Sequence, residues 1–255
     1  MAINLELMRK KLAVLKGEVK SGGNNSPFFR PEEGEQDIRI VPSPDGDPFK
    51  EVYFHYNLPD HKGGILSPKR NEGEHCPICE FASQLWKEYT ETNDEATKEL
   101  AKQLFVRPRY FSPVVVRGKE SEGVKYYGYG KKAYEMLLGY VLDPEYGDIT
   151  DPHTGTDIRL EYGKKAGQMY PTTELRPMRK ASKLAKTDNE IDTILETMPD
   201  FSEVFPETTT EDAQKLLDQT LEGGTTDTSD GTTKYGDTTT TETNDIDKAF
   251  DELLA

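Results

Sequence analysis

Apolar and polar positions change rhythm several times along the chain, and the changes mark its elements. Leu5, Met8, Leu12 and Leu15 recur at three- and four-residue intervals behind Asn4, which predicts a short capped helix. Arg9, Lys10, Lys11 and Lys16 lie between them, and residues 20–26, rich in Gly, Asn and Ser, read as a flexible joint. Residues 36–42 predict a strand, stopped by a Pro/Asp/Gly turn through Pro48, and residues 50–56 a second. Strands resume at 110–117 and 123–129, joined by a polar turn at 118–122. Helical spacing returns over 131–142, with Tyr134, Leu137, Leu138 and Val141 on one face. Residues 157–162 alternate as a strand. Ile191, Ile194, Leu195 and Met198 predict a last packed helix, followed by Phe201, Val204 and Phe205.

Two stretches break this rhythm. Residues from about 55 to 100 read as an insert of different chemistry, with three of the four histidines and both cysteines. Only Phe81, Leu85 and Trp86 suggest a helix there, before a charged stretch to Glu99. Beyond Pro206, Thr, Asp, Glu and Gly dominate, apart from Leu216 and Leu217. Such a segment buries too little apolar surface to offset its ordering entropy, so disorder is expected over 207–255. Its tip places Ile246, Phe250, Leu253 and Leu254 on one potential helical face among acids, the composition of a docking peptide. The expected organisation is a basic arm (1–21), a mainly β, α+β body (22–206) containing the insert, and an acidic tail (207–255).

Charge sharpens that division. The formal net charge of −15 sits almost wholly in residues 188–255, which carry 19 acidic and 3 basic side chains. Residues 104–186 hold 15 Lys/Arg against 10 Asp/Glu and are dense in tyrosine, and a polyanion responds to that local face rather than to the chain average. No run of about 18 apolar residues occurs, so no membrane helix is expected. The first residues carry charges inside their apolar stripe, unlike a signal peptide. Two cysteines three positions apart do not make a secreted disulfide scaffold, so a reducing, cytoplasmic compartment is expected.

Single-stranded nucleic acid offers phosphates to Lys and Arg and flat base faces to Tyr and Phe. Residues 104–132 interleave both kinds, and the candidate binding set is Arg107, Arg109, Tyr110, Phe111, Arg117, Lys125, Tyr127, Tyr129, Lys131 and Lys132. Strand alternation puts Arg107, Arg109 and Phe111 on one face, and Lys125, Tyr127 and Tyr129 on another. Because strands favour tyrosine whatever they do, about half of these aromatics are expected in the core. Arg176, Arg179, Lys180, Lys183 and Lys186 form a second basic cluster, a groove edge or a solvated helix face.

His75-Cys76-Pro77-Ile78-Cys79 is a compact knuckle. Two thiolates at this spacing can hold one zinc ion, and His55, His61 and His75 are the nearby nitrogen donors. A lone CxxC also marks redox sites, but those open a helix after a strand, whereas this pair follows a Gly/Pro/Asn-rich loop, which favours metal. No phosphate loop, HExxH or nucleophile elbow is present, so no enzyme is expected.

Taken in order, several stretches resemble the T-even-type phage single-stranded-DNA-binding (helix-destabilising) proteins. They are Asp37-Ile38-Arg39-Ile40-Val41-Pro42-Ser43, Cys76-Pro77-Ile78-Cys79, residues 110–117, residues 125–132 ending Tyr129-Gly130-Lys131-Lys132, and the acidic tip Asp251-Glu252-Leu253-Leu254. The resemblance covers about 30–205, with matching ends on both sides. It implies an OB-fold core with a zinc-binding insert, binding single-stranded DNA without sequence preference in a basic, aromatic-lined cleft. It further implies a basic arm, matched by Arg9, Lys10 and Lys11, that drives cooperative self-association along DNA. An acidic tail would screen the cleft and recruit replication and recombination proteins. The family's zinc ligands are one histidine and three cysteines; His55, Cys76 and Cys79 match three positions, while the remaining cysteine position falls at Ser67. Serine is a poor zinc ligand, so the expectation that follows is either substitution by His75 or His61, or a site that is weakened or metal-free. The expected function is therefore cooperative, non-specific single-stranded-DNA binding in phage replication, recombination and repair. A single-stranded-RNA-binding translational regulator is the alternative that the same groove chemistry permits, with a CxxC redox protein behind it.

Overall fold

A computed structural model describes residues 26–222, apart from 60–62, 165–166 and 168. Its strands are β1 (Phe28–Phe29), β2 (Gly34–Ile40), β3 (Lys50–His55), β4 (Ile65–Leu66), β5 (Arg107–Val116), β6 (Lys125–Tyr129), β7 (Thr156–Gly163) and β8 (Thr172–Ala181). All eight belong to one sheet, and the ten-residue β5 is its hub. One edge of β5 takes β6 antiparallel, with Tyr110 opposite Tyr129 and Phe111 opposite Gly128. The N-terminal half of β5 also pairs with β3, Arg107 opposite Phe54, and its C-terminal end pairs with β2, Val116 opposite Ile38. From β2 the sheet continues through β7 to β8, while β1 lies parallel to β6.

The hub strand is covered on both faces, which explains its apolar run. On one side Tyr110 and Val114 join Ile38, Ile40, Tyr127, Tyr129, Ile158, Leu160 and Leu175 in the main core. Helix α4 (Lys131–Leu142) closes that side with Ala133 and Leu137. On the other, Phe111 packs with Val52, Phe54, Tyr126 and Phe205. A Cβ on Gly128 would come within 2.7 Å of the Phe111 ring, so this β6 position needs glycine.

A polar clamp ties β2 to β7. Arg39 lies between two core isoleucines, points away from them, and is fully buried. Its guanidinium reaches the Asp157 carboxylate at 3.3 Å, the Ser182 hydroxyl at 3.2 Å, and the carbonyls of Asp151 and Ser182. Burial lowers its pKa, opposed by the Asp157 charge. Arg117 grips the same carboxylate at 2.7 and 3.1 Å and donates to the Leu184 and Lys183 carbonyls.

Between β3 and β5 the chain adds β4, α1 (Pro68–Asn71), α2 (Pro77–Thr92) and α3 (Glu95–Leu104). The expected charged stretch to Glu99 therefore ends inside a helix. Asp94 caps α3 by accepting from the amides of Ala96 and Thr97. The only fully buried side of α3 is Ala101 and Leu104, too narrow a stripe to stand out among its charges. After β8 come α5 (Asp188–Glu196), opened by a Thr187/Glu190 capping box, and α6 (Phe201–Val204).

One expectation is corrected here, and one open alternative is decided. The segment from 207 is not disordered throughout, because Thr210–Glu222 forms a further helix, α7. Ala213, Leu216 and Leu217 are buried in one cluster with Cys76, Ile78 and Cys79, so the few apolar residues suffice when a partner surface exists. The second basic cluster is not a helix face either, since Arg176, Arg179 and Lys180 lie on β8. Arg176 is paired across the sheet surface with Glu174 and Glu161. Among the described residues no helix is long and apolar enough to cross a membrane. The arm (Arg9, Lys10, Lys11), His61 and the docking tip lie outside the described residues.

Candidate metal knuckle and nucleic-acid surface

The knuckle gathers donors from three elements. His55 ends β3, Cys76 is the N-cap residue of α2, and Cys79 lies in that helix's first turn behind Pro77. All three are buried, and their ligand atoms lie within 4.8 Å of one another. The histidine Nε2 stands 3.4 Å from each sulphur. Its Nδ1 is 2.9 Å from the Leu104 carbonyl, which accepts only from a protonated Nδ1, so the neutral ring turns the Nε2 lone pair toward the sulphurs. A tetrahedral zinc bonded to one sulphur and one imidazole nitrogen separates them by about 3.6 Å. The observed edges thus fit zinc.

The thiol pair is poised for a cation. A hydrogen bond from Cys79 favours ionisation of Cys76 and lowers its pKa. Cys79 is pushed up because a hydrogen bond to Cys76 and burial penalise a second thiolate alongside the first. A dication bound between the sulphurs would remove that penalty. Burial of both sulphurs also withholds them from an attacking disulfide, against the redox alternative.

His75 is not part of this group, contrary to expectation. Its ring is 55% exposed and sits 3.1 Å from the Glu80 carboxylate on the outside of α2. Adjacent side chains at a helix start diverge, and the Cys76 side chain takes the inward direction. The side chain that points inward beside the two sulphurs is Ser67, which is fully buried, with its Oγ 3.3 Å from Cys79 Sγ and 3.9 Å from Cys76 Sγ.

The candidate nucleic-acid residues divide sharply. Tyr110, Phe111, Tyr127 and Tyr129 are all buried, more than the half expected. Tyr127 meets Phe29 edge-on, Tyr129 shares a 2.7 Å hydrogen bond with Ser112, and Tyr110 stacks on Tyr134 at 4.0 Å between centroids. Phe111 packs against Phe205 at 4.5 Å. Because α4 covers one sheet face and α6 the other, alternation sends these rings into a core on either side and leaves none a free face for a base. Burial raises the pKa of Tyr110, Tyr127 and Tyr129. Lys125 is also buried and is ion-paired with Glu122, and Arg117 is committed to the Asp157 clamp. Arg107, Lys131 and Lys132 are exposed and Arg109 is partly so.

Sequence reasoning overlooked Tyr56. It follows His55, stacks on Phe54 at 5.7 Å, and keeps part of its ring at the surface. Burial raises its pKa, while the nearby Arg109 and Arg107 charges oppose the rise. Both guanidinium groups are therefore near enough to this ring, beside the knuckle, to act on it electrostatically. Its signal was the Phe54–Tyr56 alternation with His55 turned the other way.

A mixed sheet protein with surface arginines around an aromatic ring and a His/Cys/Cys group fitted to zinc has the parts of a nucleic-acid-binding protein with a structural metal site. The chain belongs to the gp32 DNA binding protein like family, whose model matches residues 32–222, the family that the sequence resemblance indicated. No curated protein matches the chain at a significant level.

Proposed function

We propose that this protein binds single-stranded DNA without sequence preference on an OB-type sheet, coating strands exposed in replication, recombination and repair, without catalysis. Membership of a DNA-binding family across residues 32–222 carries this reading. The contact surface proposed is Arg107, Arg109 and Tyr56, extended by Lys131 and Lys132. The two lysines open α4, whose first turn holds no acid, so positive charge adds to the positive end of the helix. That arrangement is unfavourable alone and is relieved by phosphate. Zinc held by His55, Cys76 and Cys79 would brace the insert beside this surface. Arg9, Lys10 and Lys11 are proposed to drive self-association along DNA, and the acidic tail to recruit replication partners.

Titrating poly-dT across a salt series tests the reading. Log affinity should fall linearly with log salt, with a slope near −0.7 per phosphate contact. A flat response would remove the electrostatic basis, and preference for an RNA oligomer in competition would favour the translational-regulator alternative.

A further inference from the structure

We propose that Ser67 is the fourth ligand of the knuckle, making it a His–Cys–Cys–Ser site; this rests on the zinc reading above. Three observations point to the hydroxyl. Ser67 is the N-cap residue of α1, where a serine side chain ordinarily accepts from the helix's first free amides, yet it makes no capping bond there. Its Oγ turns inward, and its hydrogen-bond partners are the two cysteine sulphurs, 3.3 and 3.9 Å away. Those distances bracket the sulphur–oxygen edge of a tetrahedral zinc site, about 3.5 Å.

The backbone around Ser67 is held as firmly as a ligand requires. Its amide donates to the Tyr53 carbonyl at 2.9 Å, two residues from His55 on β3. Asn71 closes the arrangement from the other end of α1: its side-chain amide donates to the carbonyls of Tyr53 and Ser67, and its oxygen accepts from the Tyr53 amide. Strand β3 therefore fixes the histidine and the serine in one frame, while α2 supplies both sulphurs. Such outer contacts set the geometry of a metal ligand.

The chemistry that follows differs from a three-thiolate site. Two thiolates neutralise the dication and the serine binds as a neutral hydroxyl, so the buried centre carries no net charge and needs no further countercharge. Oxygen is a harder donor than sulphur, so zinc should be held less tightly than by a third thiolate and exchange more readily.

Full-length protein, Ser67→Ala, Ser67→Cys and His61→Ala would be titrated with Co2+ and Zn2+ against a competing chelator, with cobalt's visible bands reporting coordination. The expected wild-type spectrum is four-coordinate with two thiolates. Ser67→Ala should lower zinc affinity at least roughly tenfold. Ser67→Cys should raise it and add thiolate-to-cobalt charge transfer, with His61→Ala unchanged. Wild-type metal binding with an unaltered Ser67→Ala spectrum and affinity overturns the serine assignment alone, and a changed His61→Ala spectrum gives the position to that histidine. Wild-type protein that takes up neither ion overturns the zinc reading and, with it, the ligand.

Discussion

The core beneath the sheet and the core of the insert are built on opposite principles. Under the sheet, fifteen buried residues from Phe29 to Leu175 fill the space with aliphatic and aromatic side chains. The hydroxyls admitted there are matched one to one, as in Tyr129 with Ser112 and Tyr140 with the Leu175 carbonyl. In the insert, the buried centre is a ring of polar atoms from His55, Ser67, Cys76 and Cys79 that bond mainly to one another. Leu58, Ile65, Ile78, Leu85, Ala101, Leu104, Leu216 and Leu217 surround it. The first core is held mainly by buried apolar area, and the second is centred on a buried polar ring that can take a metal. One chain thus uses apolar packing where it has long strands, and proposed metal ligation where charged helices offer only narrow apolar stripes.

Removing the metal should produce the largest effect and break the comparison most directly. A structural zinc site contributes on the order of 10 kcal/mol of apparent binding free energy. Chelation, or Cys76→Ser, should therefore melt α2, α3 and α7 in a separate low-temperature transition, seen as lost helical circular dichroism, while the sheet survives. A single transition at an unchanged temperature would mean that the insert holds itself by packing.

Next in size is Tyr127→Ala, which empties a fully packed position under the sheet. Truncating a buried aromatic costs about 3–5 kcal/mol, read as a lower urea midpoint. Metal content should be untouched, and DNA affinity of the folded fraction should stay at the wild-type value. Weaker DNA binding by folded protein would return Tyr127 to the contact surface.

The sequence made these two cores unequally legible. Long periodic elements were readable because their neighbours are local: α4 over residues 131–142 and the strands over 36–42 and 110–117 follow from spacing alone. What spacing cannot report is whether a strand's second face is covered. Tyr110, Tyr127 and Tyr129 are buried because α4 closes one face, and Phe111 because the segment ending α6 arrives on the other from almost a hundred residues away, with Phe205 against Phe111. Helix α7 was hidden for the same reason, since its apolar stripe of Ala213, Leu216 and Leu217 is sufficient only against α2. At the knuckle, the thiol spacing and His55 were visible, but His75 stayed a candidate although its place next to Cys76 makes joint coordination awkward. Ser67, nine residues upstream, was visible only as a departure from the family's cysteine pattern.

Leu216→Ala sharpens the contrast from the side of the insert. Losing this buried leucine should cost about 2–5 kcal/mol of local stability, read as faster hydrogen exchange in α7. Thr210 of α7 donates to the His75 carbonyl at 2.7 Å, so the helix braces the chain entering the Cys76 turn. Zinc affinity should consequently fall with the stability of α7. Faster exchange at unchanged zinc affinity would show that the helix merely covers the knuckle.

The smallest expected effect separates binding from both cores. Tyr56 keeps ring surface at the boundary between sheet and insert, beside Arg107 and Arg109. If a base stacks there, Tyr56→Ala should lose about 1–3 kcal/mol of affinity for poly-dT, with little change in melting temperature because the ring is only partly packed. Arg107→Gln should act on a different axis, lowering the salt slope by about 0.7 for one lost phosphate contact. The two changes together distinguish stacking from charge, since loss of stacking lowers affinity at every salt concentration and loss of a phosphate contact does so mainly at low salt. Wild-type affinity and slope in both variants would place the DNA path elsewhere on the sheet, with Lys131 and Lys132 at the head of α4 as the next residues to replace.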